Sequence, residues 1–313
     1  EKTKNDISLQ IAQQYLQVLL NKEVKKITDE SVANAEKVLK RAKTTTEVGT
    51  TPKTVEAEAA AGLAREKQRQ KSAEIDIQRA LFNLAMLLQL KDYQNFDIEM
   101  VMLPEMLDAP LASSENIVDK AFENQPQVKA AETRILSAQK QIEIAKTAFF
   151  PTISTNAGIG TNYFDSFSNS ISQSFYNQYK DNLYQQISVA ANVPIFNKGI
   201  TKLRVEQAKI SESIAKNSVE IQKQEVRQNV QKAYFDANAN YEIYLAAQEA
   251  EKSAKLALDF AEKSYEAGRT TIYDLNTARN NYVNAQGSVS QAKYNYIFST
   301  KLLNFYAGIP LSL

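Results

Sequence analysis

Apolar side chains recur at steps of three and four from residue 5 to residue 47, with Ile7, Ile11 and Val18 already in register at the start. That period predicts a long amphipathic helix. Val48-Gly49-Thr50-Thr51-Pro52 interrupts it. Pro52 suits the first turn of a returning helix, where its missing N–H needs no partner. The returning helix is predicted over 53–90 and ends in the apolar run 81–88. Residues 91–113 keep no period and contain Pro104 and Pro110. Ser113 or Ser114 is placed to cap a helix over 114–147, which Pro126 should kink or split.

After Phe149-Phe150-Pro151 the period changes from 3.6 to 2. Ile153, Thr155, Ala157, Ile159, Thr161 and Tyr163 share one face of a predicted strand, and Thr152, Ser154, Asn156, Gly158, Gly160 and Asn162 share the other. A second run repeats the design, with Leu183, Gln185, Ile187, Val189, Ala191, Val193 and Ile195 against Tyr184, Gln186, Ser188, Ala190 and Asn192. Strands of roughly ten residues, apolar on one face and small-polar on the other, are the signature of an outer-membrane barrel. The same alternation also fits a half-buried hairpin in a water-soluble protein. The connection 164–182 is rich in Ser, Asn, Phe and Tyr, as an extracellular loop with aromatic edges would be.

Pro194-Ile195-Phe196-Asn197-Lys198-Gly199 ends the second strand. A helix predicted over 200–267 follows and turns at Gly268; another over 271–306 is closed by Gly308 and Pro310. At 1.5 Å per residue the first of these is roughly 100 Å long, and those over 114–147 and 271–306 are each roughly 50 Å. One long rod flanked by two half-length rods suggests a bundled or hollow cylinder. Ala246, Ala250, Ala254, Ala257 and Ala261 form a row of small residues for close helix approach, and Ala278, Ala285 and Ala292 recur every seven, the period of a supercoiled seam.

The chain also resembles itself. At an offset of 219, which carries Gly49 onto Gly268, Tyr15 meets Tyr234, Asn21 meets Asn240, Glu23 meets Glu242, Leu39 meets Leu258 and Ala42 meets Ala261. Repetition of this kind means one supersecondary unit used twice. The division that follows is a first-repeat helical hairpin over 1–93, an equatorial connector over 94–113, a leading helix of the second repeat over 114–148, a transmembrane β-hairpin over 149–196, and a long helical hairpin with its C-terminal end over 197–313.

Composition narrows the chemistry. The 313 residues carry a net charge of +1 with no Cys and no His, which offers no nucleic-acid footprint, no disulfide, and neither thiolate nor imidazole for metal binding or acid–base catalysis. No apolar run reaches the roughly 20 residues of a spanning helix, so a membrane crossing would have to use strands. Glu1-Lys2-Thr3-Lys4 lies at the edge of a running helical pattern, and the chain is expected to be preceded by an earlier helix and hairpin.

These features together resemble the outer-membrane efflux protein family of TolC-like channels. The resemblance rests on Phe149-Phe150-Pro151-Thr152 leading into a strand, on Val193-Pro194-Ile195-Phe196-Asn197-Lys198-Gly199 leaving one, and on the turn Tyr265-Glu266-Ala267-Gly268-Arg269-Thr270-Thr271-Ile272-Tyr273-Asp274-Leu275. Asn124-Gln125-Pro126-Gln127-Val128 is similar to the family's repeat-opening Asn-Pro motif, with one residue inserted. The resemblance implies a mainly α fold with a β-hairpin, its coiled-coil helices building an α-barrel tunnel and its two strands entering a trimeric outer-membrane β-barrel.

The function it implies is passive conduction from an inner-membrane pump and a periplasmic adaptor (membrane fusion) protein to the outside. The partners are then a homotrimer, adaptor, pump and outer-membrane lipid, with no cofactor, no metal and no catalysis. Ile153, Ile159, Tyr163, Ile187, Val189 and Val193 become the lipid-facing set. Tyr265, Arg269 and Asp274 become the periplasmic gate, although Thr270 stands where the family's type member has its Arg, and Thr277 replaces a second Asp. Gly49, Gly268, Thr270, Thr271 and Leu275 become the tip turns and adaptor-docking surface. A non-membrane coiled-coil scaffold is the alternative; an enzyme is disfavoured, because Glu123 and Glu132 sit in no recognisable acid–base pair.

Overall fold

A computed structural model describes residues 1–101, 113–165 and 174–311. Its order is α1 (Lys2–Glu47), α2 (Lys53–Leu87), α3 (Glu115–Asn124), α4 (Pro126–Thr147), β1 (Thr152–Gly160), α5 (Phe175–Asp181), β2 (Tyr184–Asn192), α6 (Ile200–Glu266) and α7 (Ile272–Tyr306). The chain divides into two compact units, one of residues 1–129 with 222–313 and one of residues 130–221. None of the described helices is long and apolar enough to cross a membrane.

The repeat holds to the residue. Advancing the end of α1 and both bounds of α2 by the offset of 219 gives the end of α6 and both bounds of α7, and α2 and α7 are each 35 residues long. Packing follows the same correspondence. Val18 and Ala237, Ala73 and Ala292, and Leu84 and Leu303 are matched pairs in which both members are buried. Such agreement follows when one pattern of buried positions is written twice.

In the larger unit, Leu16, Leu19 and Leu20 of α1 pack on Tyr294 and Ile297 of α7. Val18 meets Ala80 and Leu84 of α2. Ile117, Val118, Ala121 and Val128 pack on Val226, Val230, Ala233, Ala237 and Leu303. The core of this unit is therefore a series of small clusters spaced along its helices.

Several expectations change. Pro126 splits the 114–147 helix outright: Gln125 is extended at φ −74° and ψ 124°, the conformation favoured before proline. The first helical hairpin ends at Leu87 rather than at residue 90, because Gln89 takes a left-handed conformation at φ 54°. Ala246, Ala250 and Ala257 are exposed; the buried positions of that stretch are Tyr244 and Leu258. Those two keep the three-and-four step inherited from Val226, Val230, Ala233 and Ala237; Ala254 and Ala261, four before and three after Leu258, keep it too and are half-buried, whereas Ala246, Ala250 and Ala257 do not. Pro104 and Pro110 lie outside the described residues.

The smaller unit holds the β-hairpin, most of α4 and the start of α6. Gln139 Nε2 donates to Glu212 Oε1 at 3.1 Å, tying α4 to α6. Beyond β2, Lys198 and Gly199 adopt φ of 56° and 79° and redirect the backbone into α6, where Thr201 is buried and meets the side chain of Asn197.

Candidate functional site

β1 and β2 form an antiparallel ladder running from Thr152 opposite Asn192 to Gly160 opposite Tyr184. Cross-strand partners in such a ladder share a face. The register therefore joins Ile153 to Ala191, Thr155 to Val189, Ala157 to Ile187 and Ile159 to Gln185 on one side. Thr152, Ser154, Asn156 and Gly158 meet Asn192, Ala190, Ser188 and Gln186 on the other. One side is apolar apart from Thr155 and Gln185, yet Ile153 and Ile187 are 75% and 79% exposed. Among the described residues nothing covers that face.

Tyr163 and Val193 fall outside the strands. The ladder stops at Asn192 because Pro194 has no N–H to contribute, and at Gly160 because the opposite chain turns into α5 beyond Tyr184. The loop over 164–182 is not wholly irregular, since α5 occupies seven of its residues; residues 166–173 lie outside the described residues. At Gly160 a Cβ would lie 2.7 Å from the Tyr184 hydroxyl, so a larger residue there would have to displace that exposed ring, which covers this position.

The two helical tips share one backbone solution. Gly49 N donates to Thr46 O and Thr50 N to Thr45 O; in the second copy Gly268 N donates to Tyr265 O and Arg269 N to Ser264 O. With φ of 77° and 68° at the glycines, both are Schellman closures, for which glycine carries no steric penalty. The copies differ on the return side. Thr271 caps α7 in a reciprocal box with Asp274, whereas α2 begins after Pro52 with no side-chain cap. At the first tip Thr51 Oγ1 instead donates to Thr45 Oγ1 at 2.9 Å.

One carboxylate oxygen of Asp274 is held by its own helix end. Its Oδ2 accepts from the hydroxyls of Thr271 at 2.7 Å and Thr270 at 2.9 Å, and from Thr271 N at 3.2 Å. Those bonds hold its carboxyl below the usual carboxylate range, the Thr271 hydroxyl having the largest effect. Tyr265 does not meet Asp274. Its ring lies 5.9 Å from the guanidinium of Arg41 on α1, which also reaches Glu266 Oε1 at 3.6 Å. Arg269 is exposed, with no carboxylate within ion-pair distance among the described residues. Leu275 is 2% exposed, which removes it from a docking surface. Nearby, Ala42, Ala59 and Ile272 form the core of the tip. An open groove of about 800 Å³ lies between the two turns, bordered by Arg41, Thr51, Tyr265, Thr270 and Tyr273.

Further from the tips, a buried polar network crosses the helices. Glu66 of α2 accepts from Ser31 Oγ at 2.9 Å and from Arg69 at 3.1 Å, and Arg69 also donates to Asn280 Oδ1 at 3.0 Å. Arg279 of α7, 6% exposed, pairs with Glu262 at 3.1 Å, while its Nε has no partner among the described residues. No sequence period singled these residues out. Among the described residues no cluster of carboxylates could hold a metal ion.

A profile of the outer membrane efflux protein family matches residues 117–308, more than half of the chain. The chain belongs to that family. Its members are outer-membrane proteins that extend into the periplasm, and this chain is one of them. It is 28% identical over 198 residues to Outer membrane protein TolC of Vibrio cholerae, covering 63% of this chain and 44% of that protein. It is 24% identical over 250 residues to Alkaline protease secretion protein AprF of Pseudomonas aeruginosa, covering 74% and 50%. The chain thus spans half or less of the length of these relatives. Its fold is that of the outer membrane protein VceC from Vibrio cholerae, with a TM-score of 0.73 at 18% identity over 98% of this chain and 71% of that one.

Proposed function

We propose that this chain forms part of the wall of an outer-membrane exit duct that serves a tripartite efflux or type I secretion system. In this reading three copies assemble. Each contributes strands to a shared barrel and helices to a periplasmic tunnel. Substrates pass through it without chemistry, delivered by a periplasmic adaptor and an inner-membrane pump.

The observation that carries the reading is the uncovered apolar face of Ile153, Ala157, Ile159, Ile187 and Val189, opposed by a small-polar face on the same two strands. A two-stranded sheet cannot stand alone in water; closed with other strands, it would turn the first face to lipid and the second to an aqueous lumen. A coiled-coil scaffold gives no reason for this alternation.

Tyr265, Arg269 and Asp274 would then act at the closed periplasmic end, with Arg41 added through its contacts to Tyr265 and Glu266. Gly49, Gly268, Thr270 and Thr271 would shape the turns offered to the adaptor.

Purified protein in a planar lipid bilayer tests the proposal. Discrete conductance steps are expected, with a higher resting level in Asp274→Ala. A protein that inserts but never conducts would refute the duct.

A further inference from the structure

We propose that α5 is a membrane-surface anchor, seated in the polar headgroup layer of the outer leaflet where the apolar strand face ends. This inference rests on the lipid-facing reading of the hairpin and extends it.

A seven-residue helix has no stability of its own. Side chains bind this one to the end of the hairpin instead. Gln178 is 5% exposed; its Oε1 accepts from Phe164 N at 3.1 Å and its Nε2 donates to Phe164 O at 3.0 Å, as a neighbouring peptide group would. Thr161 Oγ1 donates to Tyr179 O at 3.1 Å, and Asn182 Nδ2 to Asn162 O at 2.7 Å. The Phe175 ring lies 5.3 Å from Tyr163 and 6.4 Å from Tyr179.

The helix is held firmly, yet its rings are left outside. Phe175 and Tyr176 are 64% and 72% exposed. A loop fixed only to close the hairpin would turn these rings inward. Tyr163, which carries the stack, lies three residues beyond Gly160, the last residue of β1, so the aromatic surface sits at the end of the hairpin, just past the point where the apolar strand face stops at Ile159. Rings with an apolar body and a polar edge settle at membrane–water interfaces. Lys180 stands one turn from Tyr176, where a long side chain keeps its ammonium among anionic headgroups.

The chain has no Trp, so an introduced indole is a unique reporter. Tyr176→Trp and Ile187→Trp would be purified from membranes and reconstituted in vesicles of lipids brominated either near the headgroup or deep in the acyl chain. The anchor predicts stronger quenching of Tyr176→Trp by the shallow label, stronger quenching of Ile187→Trp by the deep one, and loss of the first effect when Gln178→Ala is added. The Ile187→Trp signal also reports insertion of each variant. Tyr176→Trp quenched by iodide in water and by neither lipid, with Ile187→Trp still quenched deeply, overturns the anchor alone. Failure of both lipid signals overturns the lipid-facing reading and the anchor with it.

Discussion

Gln89 and Gly308 occupy the same place in the two repeats, and both are left-handed, at φ 54° and 81°. Each closes its helix with the same pair of bonds: Gln89 N to Met86 O and Leu90 N to Ala85 O in the first copy, Gly308 N to Phe305 O and Ile309 N to Asn304 O in the second. The first repeat thus makes with glutamine a turn that the second makes with glycine. A side chain in that conformation costs on the order of 1 kcal/mol.

Gln89→Gly is therefore expected to stabilise the first hairpin by about that amount, read as a rise in thermal midpoint of the detergent-purified protein. Gly308→Ala should lower it by more. Its Cβ would lie 2.4 Å from Asn124 Nδ2, so the backbone strain is joined by displacement of that side chain. Adding Asn124→Ala should recover only the second part. Equal midpoints for all variants would contradict the shared geometry.

The cap of α7 depends on pH. The Asp274 carboxyl is held low by the Thr271 hydroxyl, then by the Thr270 hydroxyl and the Thr271 amide. A depressed folded value gives stability that is present above the unfolded pKa and lost as pH falls through the folded one. Amide exchange at residues 271–275, corrected for its intrinsic rate, should accelerate as the medium is acidified below the usual carboxylate range. Asp274→Asn should flatten that response, and the first tip, with Val55 at the matching position, should not show it. A pH response unchanged in Asp274→Asn would remove the carboxylate from the cap.

Arg279 is buried while its partner Glu262 is half exposed. Removing one member of a buried pair strands the other. Glu262→Ala is expected to destabilise the hairpin of α6 and α7 by roughly 1–3 kcal/mol, the lower end following from solvent access to Glu262. Arg279→Met, which removes the guanidinium and retains the volume, should cost less than Glu262→Ala. Denaturation of both variants decides the order, and the reverse order would show that Arg279 does not depend on Glu262.

Arg41 bears on the proposed gate. It is the cation above Tyr265 and beside Glu266. If closure uses Tyr265, Arg41→Ala should raise resting conductance in planar bilayers, and Arg41→Lys should raise it less. Conductance equal to wild type in both would place Arg41 in local packing only.

Period and turn residues made most of the fold readable. Steps of three and four gave α1, α2, α6 and α7, alternation gave the hairpin, and Gly49 and Gly268 gave the tips. Each is a local rule, satisfied by residues close in sequence. The features that escaped join distant residues or depend on tertiary support. Arg41 is 225 positions from Glu266. Glu66 and Asn280 meet through Arg69 across different helices. The Phe175–Asp181 helix has a composition that reads as loop, and its Gln178 bonds are to Phe164, on the far side of the connection. At the second tip the Tyr and Asp were found by resemblance, but their partners were not, because Asp274 turns to Thr271 and Tyr265 turns to Arg41.

The central claim is that the strand hairpin has one side in lipid and the other in water. The chain contains no Cys, so single cysteines placed in turn from Ile153 to Ile159 and from Gln185 to Ala191 can each be tested in native membranes with a membrane-impermeant maleimide. Labelling should alternate with period two: strong at Ser154, Asn156, Gly158, Gln186 and Ser188, absent at Ile153, Ala157, Ile187 and Val189. Uniform labelling along both strands, or alternation of the opposite sense, would contradict the account.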